Sequence, residues 1–296
     1  MTPVARSVIA VDAGGTKISA GVIDSSGQIH RKEKLSTSQG GAQESIRQIV
    51  ELLRGLGCNE LTPVGLNVPG IYYADTGKVW APNIPGWEHI DLRSELTGAL
   101  RAPIFIDSDR VGYVLGEQWM GVAKGLRDVV FLAVGTGIGA GIISGGKLIR
   151  GAGDIAGSVG WFALNQKKKE IYKKVGCFEA EAAGPGLARR ARMSTSDVVA
   201  KARQGDARAL GVIEETARYL AMGVANLVSL LNPEMVVLGG GLMQAGDLLL
   251  ETTRREVLDW AQPIAAGQVR IELSALGEDA GLLGAARLAL TATMED

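Results

Sequence analysis

Short apolar runs alternate with longer amphipathic segments along the chain, and this alternation predicts an α/β fold. In residues 42–56, Ile46, Ile49 and Leu53 share one stripe, which is typical of a helix packed on a sheet. The predicted strands are residues 8–11, 18–23, 64–68, 104–106, 129–134, 138–143 and 235–238. The predicted helices are residues 42–56, 110–122, 207–231 and 280–290.

Two of the predicted strand pairs enclose glycine-rich turns and are similar to each other. Residues 15–23 (GTKISAGVI) and 135–143 (GTGIGAGII) are identical at six of nine positions when the chain is compared with itself at an offset of 120. This match predicts an internal duplication in which each half opens on a hairpin. We expect a small N-terminal domain of residues 1–120, joined by a C-terminal helix at about 280–296, and a larger C-terminal domain of residues 121–279.

The composition argues against several classes of protein. Hydrophobic residues make up 46% of the chain and charged residues 21%, whereas a disordered chain has fewer apolar residues and more net charge. Lys and Arg number 31 against 32 Asp and Glu, so the basic excess typical of nucleic-acid and membrane-surface proteins is missing. There is no run of about 18 apolar residues and no signal-peptide layout. We therefore expect a cytoplasmic protein that binds neither nucleic acid nor membrane.

Residue types that bind structural metals are scarce. The chain has two Cys, Cys58 and Cys177, and two His, His30 and His89, all far apart in sequence. A structural zinc site takes about four such ligands, often in closely spaced pairs. We therefore expect neither structural zinc nor a disulfide framework.

Three glycine-rich turns follow predicted strands and are candidates for binding phosphate. Consecutive backbone amides in such turns donate to an anion, and glycine allows the ligand to come close. Asp12, at the end of the first strand, also suits Mg²⁺ held through water. Each turn alone is equally typical of an ordinary tight turn, but at strand ends the three are expected to converge on one polyphosphate. The turns are Asp12-Ala13-Gly14-Gly15-Thr16-Lys17, Gly135-Thr136-Gly137-Ile138-Gly139 and Gly239-Gly240-Gly241.

An acidic strand end offers a candidate general base. Asp107-Ser108-Asp109 lies between the apolar run at residues 104–106 and a predicted helix. A carboxylate at this place can accept a proton from a bound hydroxyl. The alternative is that Ser108 or Asp109 only caps the helix.

A rigid loop at residues 81–87 (APNIPGW) offers a candidate substrate contact. The amide of Asn83 both donates and accepts hydrogen bonds, which suits the hydroxyls of a polyol. The alternative is a loop that is simply anchored by a buried Trp87.

In their order and spacing these segments resemble the ROK family of sugar kinases, within the actin/hexokinase-like ATPase superfamily, over essentially the whole chain. The carriers are the three turns, Pro69-Gly70, the loop at residues 81–87, and Asp109 with Glu117 eight residues later. The resemblance implies two actin-like (ribonuclease H-like) domains with an active-site cleft between them. It also implies ATP and Mg²⁺ as cofactors, a small sugar or polyol substrate, and a homodimer.

The resemblance implies roles for individual residues. Asp109 matches the catalytic base, and Asp12 is the residue expected to hold Mg²⁺ through water. Phosphate and ATP contacts are implied for Gly14, Gly15, Thr16 and Lys17, for Gly135, Thr136 and Gly137, and for Gly239, Gly240 and Gly241 on the adenosine side. Substrate contacts are implied for Gly70, Asn83, Ser108, Ser158, Trp161 and Glu179.

The chain departs from the family pattern at positions that contact the sugar. Ser108 stands where the family usually carries Asn, and Ser158 and Trp161 stand where it carries the Glu and His of Glu-x-Gly-His. That His also binds zinc in the family, and of the Cys-rich stretch only Cys177 remains. Because a site that hydrogen-bonds particular hydroxyls strongly rejects analogues lacking them, these changes predict an altered substrate.

Two features of this region keep alternatives open. Trp161 is expected either to stack on a sugar ring or to fill core space left by the zinc stretch. The five Lys between residues 167 and 174 are expected to form a solvated loop or, alternatively, to attract an anionic substrate or a polyphosphate donor.

We therefore expect ATP-dependent phosphorylation of a sugar hydroxyl, as in a glucokinase-like hexose kinase, with Asp109 as the base. One alternative is a kinase of a non-standard polyol, such as an amino sugar or a C7 cyclitol. The other is a non-catalytic sugar-binding regulator, against which the presence of Asp12, Asp109 and both phosphate turns argues.

Overall fold

The computed structural model describes residues 6–293, and the chain divides into two compact units. Of the described residues, the first unit comprises residues 6–124, the segment Arg150–Ile155 and residues 278–293. The second comprises Gly125–Ile149 and Ala156–Gly277. Each unit has its own sheet and its own apolar core, and the predicted α/β class is confirmed.

The first unit is built on a five-stranded mixed sheet. Along the chain its elements are β1 (Ser7–Ala13), β2 (Lys17–Asp24), β3 (Ile29–Ser36), α1 (Ala42–Gly55), β4 (Val64–Val68), β5 (Ile71–Tyr73), β6 (Lys78–Trp80), β7 (Glu88–Ile90), α2 (Leu92–Leu100), β8 (Ile104–Ser108) and α3 (Asp109–Met120). The sheet order is β3-β2-β1-β4-β8, in which β1, β4 and β8 run parallel and β2 is antiparallel to both of its neighbours. A separate small antiparallel sheet has the order β5-β6-β7.

The second unit repeats this arrangement on another five-stranded sheet. Its elements are β9 (Val129–Val134), β10 (Ile138–Ser144), β11 (Lys147–Leu148), α4 (Tyr172–Val175), α5 (Cys177–Ala182), α6 (Gly184–Ala191), α7 (Thr195–Arg203), α8 (Ala207–Leu231), β12 (Met235–Gly239), α9 (Gly246–Trp260), α10 (Pro263–Gln268) and β13 (Arg270–Leu273). The sheet order is β11-β10-β9-β12-β13. Strands β9, β12 and β13 run parallel, and β10 is antiparallel to β9 and β11.

The final helix, α11 (Ala280–Ala292), lies in the first unit and packs closely on α3. A Cβ placed on Gly284 would lie 1.7 Å from the carbonyl oxygen of Gly112, and one on Gly116 would lie 2.3 Å from that of Ala280. Glycine at these positions therefore lets the two helix backbones touch. This contact fixes α3, whose first residue is Asp109.

Every strand and helix predicted above occurs in the structure. The pattern missed β3, because its sequence IHRKEKLS is mostly polar and the strand lies at an edge of the sheet. It also missed the strands of the small sheet, which are only three residues long and too short to show a period. None of the helices within residues 6–293 combines the length and the apolarity needed to cross a bilayer.

Candidate active site

The first glycine-rich turn joins β1 to β2 and presents unpaired amides. Gly14 donates its N–H to the carbonyl of Lys17 (2.8 Å), and Thr37 donates from its hydroxyl to the Gly14 carbonyl (2.6 Å) and from its N–H to the Thr16 carbonyl (3.1 Å). Within residues 6–293 the amides of Gly15 and Thr16 make no hydrogen bond. The turn is thus held through its carbonyls, which leaves these N–H groups for an anion.

Lys17, predicted to contact phosphate, is engaged in an ion pair. Its ammonium lies 3.1 Å from one carboxylate oxygen of Glu278, and the ammonium of Lys34 lies 2.6 Å from the other. The hydrogen bonds from Lys34 and Lys17 lower the pKa of Glu278 to about 2. All three side chains are substantially exposed, so a phosphate has only a weak surface ion pair to displace.

The loop at residues 81–87 contacts this turn. Trp87 is completely buried, and its indole N–H donates to the hydroxyl of Ser45 (2.9 Å). A buried Trp87 therefore anchors the loop, which was the alternative interpretation of this segment. Asn83, in contrast, is exposed. A Cβ on Gly15 would lie 2.9 Å from the backbone oxygen of Asn83, so only glycine lets the loop and the turn come this close.

Gly70, a predicted substrate contact, is required by the backbone. Its φ is +79°, and a Cβ at this position would lie 2.2 Å from the carbonyl oxygen of Trp80. The tight turn from β4 into β5 therefore explains this glycine on structural grounds alone.

The two acidic residues at the end of β8 have different surroundings. The side chain of Asp107 is only 3% exposed, and Nη2 of Arg150 lies 2.5 Å from its Oδ2. Asp109 is half-buried, and its Oδ1 accepts the amide N–H of Arg110 (2.7 Å). Ser108 is the N-cap residue of α3 but makes no side-chain capping bond, so it does not cap the helix through its hydroxyl.

Burial shifts the titration of both site carboxylates. Desolvation, followed by the nearby charge of Asp109, raises the pKa of Asp12 to about 7. Desolvation likewise raises the pKa of Asp109 to about 6, although its hydrogen bond with Arg110 and the charge of that guanidinium oppose the rise. A carboxylate with a pKa near 6 is ionised at neutral pH and still basic enough to take a proton.

The surroundings of Asp12 fit the predicted Mg²⁺. The carboxylate is partly accessible, and a Cβ on Gly281 would lie 2.5 Å from its Cγ, so α11 packs directly against it. Its raised pKa indicates a buried negative charge that the protein alone stabilises poorly. An oxygen donor in this state is suited to a hard cation that keeps its water ligands.

The second turn, between β9 and β10, also presents unpaired amides. Gly135 donates its N–H to the carbonyl of Gly137 (2.9 Å), and Gly184 donates to the carbonyl of Gly135 (2.9 Å). In the part of the chain that the structure describes, the amides of Thr136 and Gly137 have no hydrogen-bond partner. The pattern of held carbonyls and unpaired amides matches that of the first turn.

A cavity of about 450 Å³ in the second unit brings the second and third predicted turns together. It is lined by Gly135, Thr136, Gly184, Pro185, Ala188, Thr195, Gly241 and Leu242. Gly240 has a φ of +91°, and a Cβ there would lie 2.6 Å from the carbonyl oxygen of Val134, so this glycine shapes the turn beside the cavity. Gly239 ends β12, where a Cβ would strike the ring of Phe131.

Four cavity residues come from segments that no motif indicated. Gly184, Pro185 and Ala188 belong to α6, and Thr195 begins α7 and donates its hydroxyl to the Gly184 carbonyl (2.9 Å). The Gly-Pro-Gly start of α6 was the one available signal, since proline is common in a first helical turn.

Glu179, a predicted sugar contact, lies against the second turn. Its Oε2 accepts the N–H of Ile138 (2.8 Å), and burial raises its pKa. Ser158 precedes a single 3₁₀ turn, Val159–Trp161, and is half-buried. Trp161 is 58% exposed, so the expectation that it fills core space is wrong and its ring faces solvent.

The lysine-rich segment is mostly solvated but is tied to the core at one point. The side chain of Glu181 is only 2% exposed, and it lies 2.6 Å from the Lys169 ammonium and 3.2 Å from Nη1 of Arg190. The hydroxyl of Tyr172 donates to the same carboxylate. Within residues 6–293 no group of three His, Cys, Asp or Glu side chains could hold a metal ion. The expected loss of structural zinc stays a prediction.

Comparison with known proteins identifies the family. A sequence model of the ROK family matches residues 8–292. The chain belongs to the ROK family. It is 33% identical to a glucokinase of Thermotoga maritima, covering 95% of this chain and 96% of that one, and 31% identical to an N-acetylmannosamine kinase of Escherichia fergusonii, covering 96% and 98%.

Solved ROK structures share the fold. A ROK hexokinase from Thermus thermophilus aligns with a TM-score of 0.84 at 31% identity, covering 98% of this chain and 100% of that one. A ROK glucokinase from Streptomyces griseus, in complex with glucose and AMPPNP, aligns with a TM-score of 0.79 at 29% identity, covering 96% and 99%. These relatives confirm the predicted actin-like fold and the class of carbohydrate kinase.

Proposed function

We propose that this ROK-family enzyme transfers the γ-phosphoryl group of ATP to a hydroxyl of a hexose, with Asp109 as general base. The observation that carries the proposal is the contrast at the end of β8. Asp107 is paired with Arg150, whereas the half-buried carboxylate of Asp109 has a pKa of about 6 and no cation within ion-pair distance in residues 6–293. The similarity to glucokinases, one of them in complex with glucose and AMPPNP, supports a hexose as acceptor and ATP as donor.

In this proposal the second unit binds the nucleotide. Its cavity of about 450 Å³ falls in the range of small-molecule sites, and the unpaired amides of Thr136 and Gly137 are donors for phosphate oxygens. In the first unit, the amides of Gly15 and Thr16 are likewise donors for phosphate oxygens. Phosphoryl transfer depends chiefly on such positioning and on charge stabilisation.

Asp12 would hold Mg²⁺ through water in this proposal. When bound, the ion neutralises charge on the transferring phosphoryl group. Asp109 accepts the proton of the acceptor hydroxyl, whose oxygen then forms the new bond to phosphorus as the bond to ADP breaks. Asn83, also in the first unit, orients the acceptor by hydrogen bonds to its other hydroxyls.

Replacement of Asp109 tests the proposal directly. For Asp109→Asn we expect kcat for ADP release with Mg-ATP and glucose to fall by about 10²–10⁴-fold, because the amide cannot take a proton. The dissociation constant for ATP, measured by calorimetry, should change less than about threefold. Asp75→Asn, in an exposed turn of the same unit, is the matched control and should leave kcat unchanged. Near-normal turnover of Asp109→Asn contradicts the assignment.

An amino sugar or a C7 cyclitol is the second candidate acceptor. It is favoured by Ser158 and the exposed ring of Trp161, which stand where the family pattern has Glu and His, and by the similarity to an N-acetylmannosamine kinase. ADP release measured with glucose, N-acetylmannosamine, N-acetylglucosamine and cyclitols ranks these acceptors by kcat/KM. Turnover with none of them would favour a non-catalytic regulator.

The proposal also covers the domain organisation, the oligomeric state and the cellular location. The two units correspond to the two predicted actin-like domains, the enzyme is a homodimer, and it is cytoplasmic. Analytical ultracentrifugation of the full chain tests the dimer, and fluorescence microscopy of a tagged chain tests the location.

A further inference from the structure

Residues 150–155 form an unusual segment of the first unit. The chain on both sides of it belongs to the second unit. Three of its residues have left-handed backbone, Gly151 (φ +71°), Gly153 (φ +69°) and Asp154 (φ +58°). For aspartate this conformation is uncommon. Residues 151–153 and 155 are exposed, so apolar packing does not account for the position of the segment.

Polar contacts hold this segment on both sides of Asp109. Arg150 places Nη2 2.5 Å from Oδ2 of Asp107, two residues before Asp109. Arg110, one residue after Asp109, donates from Nη2 to the backbone carbonyl of Asp154 (3.0 Å). We call Asp107, Arg110, Arg150 and Asp154 the clamp.

A further contact fixes the far end of the segment. Oδ2 of Asp154 accepts the N–H of Ala74 (2.9 Å), which lies in the turn between β5 and β6. The left-handed backbone of Asp154 is thus stabilised by its carboxylate, which glycine at the same position would lack.

In the clamp, Asp107 is paired with Arg150, and Arg110 is bonded to the carbonyl of Asp154. Asp107 is buried, and a buried carboxylate without a counter-charge is strongly unfavourable. If Arg150 were absent, the guanidinium of Arg110, which interacts with Asp107, Asp109 and Asp154, would remain as a counter-charge for Asp107. That guanidinium would then move relative to the carboxylate of Asp109.

We propose that Arg150 and Asp154 are positioning residues for Asp109, acting through Asp107 and Arg110. Their contacts hold Asp107 and Arg110 in place. The carboxylate of Asp109 therefore stays free to accept the proton of the acceptor hydroxyl. The inference rests on the proposed role of Asp109 as general base.

A charge-compensated double variant tests the proposal. Arg150→Met alone should lower both Tm and kcat, because it leaves Asp107 unpaired. Asp107→Asn/Arg150→Met removes both charges and should recover Tm, while kcat stays about 10- to 100-fold below that of the wild type, because the end of β8 beside Asp109 has lost the ion pair that holds it to residues 150–155. The dissociation constant for ATP should change less than about twofold, and Arg150→Lys should recover part of kcat.

Asp154→Gly provides a second test that keeps the backbone conformation. Glycine accepts the left-handed φ but removes the acceptor for the Ala74 amide. Hydrogen exchange at Ala74 should accelerate by about tenfold or more, and kcat should fall while binding of ATP is retained. Arg101→Met, which removes an exposed arginine 3.8 Å from Glu60 in the same unit, is the control and should change neither quantity.

The outcomes separate the clamp from the proposed function. If Asp109→Asn is inactive and the double variant has wild-type kcat, the positioning role is wrong and the general base stands. If Asp109→Asn keeps its turnover, the proposed function fails and the positioning role fails with it. A double variant that recovers Tm but not kcat, beside an inactive Asp109→Asn, supports both.

Discussion

The two units have the same sheet topology but carry different chemistry. In both, the second strand of the order is antiparallel to its neighbours and the last three strands are parallel. Their hairpin turns differ in length, because Ala13 pairs with Ile18 in the first unit and Val134 pairs with Ile138 in the second. The first turn therefore encloses one residue more.

The pairing of residues in the two hairpins shows how the different turn lengths change the ends of the strands. Asp12 is paired with Ser19, and the corresponding residue of the second unit is Ala133, which is paired with Gly139. One scaffold thus places a carboxylate where the other places a methyl group. The first unit has acidic strand ends, and the second has a cavity lined by glycines and small side chains. In the proposed function, proton and metal chemistry therefore belongs to the first unit and nucleotide binding to the second.

Asp12→Asn makes the end of β1 more like that of β9 and should have the largest effect. We expect kcat/KM to fall by about 10²–10³-fold with a raised requirement for Mg²⁺, because the amide no longer provides an anionic ligand. The activity assay is ADP release over a range of Mg²⁺ concentrations. Wild-type kinetics in this variant would show that the carboxylate has no part in the reaction.

The same variant should be more stable than the wild type without ligand. Folding raises the pKa of Asp12 from 3.8 to about 7, so ionisation of this carboxyl disfavours the folded state. As the pH rises from about 4 to about 7, ionisation of Asp12 therefore lowers the free energy of unfolding of the wild type. The variant has no carboxyl at this position and does not show this decrease. The Tm difference should be near zero at pH 4 and largest above pH 7, and equal Tm values at pH 8 would contradict this account.

The pH dependence of activity should follow the titration of the site carboxylates of the first unit. With the pKa of Asp12 at about 7 and that of Asp109 at about 6, kcat/KM should be level only above about pH 7 and should fall at least tenfold per unit below about pH 6, because protonated Asp109 cannot act as a base. Rates measured in a constant-ionic-strength buffer series, with circular dichroism at each pH to show that the fold persists, test this. A profile that is flat down to pH 5 argues against Asp109 as the base.

Equivalent glycines of the two turns should respond differently to alanine. A Cβ on Gly15 would lie 2.9 Å from the backbone oxygen of Asn83, whereas one on Gly135 would meet only the Gly241 amide at 3.6 Å. Gly15→Ala should therefore raise the acceptor KM by about tenfold and lower Tm, since the loop must move. Gly135→Ala should leave Tm unchanged and affect only the KM for ATP. Equal responses would remove this distinction between the turns.

Trp161→Ala should have only a small effect on stability. The side chain is 58% exposed, so the free energy of unfolding should change by no more than about 0.5 kcal/mol. If the ring stacks on the acceptor, the acceptor KM should rise several-fold at constant Tm. Leu61→Ala, at another exposed apolar position, is the control for stability. An unchanged KM would exclude stacking.

Much of the fold follows from local patterns in the chain. The period of apolar residues and the glycine-rich turns predict each main strand of both sheets except β3, β11 and β13, since buried parallel strands read as apolar runs. The repeated GT-x-I-x-AG pattern indicates two related halves without any structure. The same local signals place candidate chemistry at strand ends, where Asp12, Asp109 and the turn amides lie.

Long-range neighbours account for the rest. The local pattern alone does not separate Asp107 from Asp109, although the family resemblance selects Asp109, and in the structure it is Arg150, from a distant segment, that pairs with Asp107. The cavity needs Gly184 and Thr195, which carry no motif, and the pKa of Asp12 depends on burial beneath the last helix. Strand and turn propensities act over a few residues and can be read along the chain, whereas desolvation, ion pairing and close backbone approach arise only between segments that folding brings together.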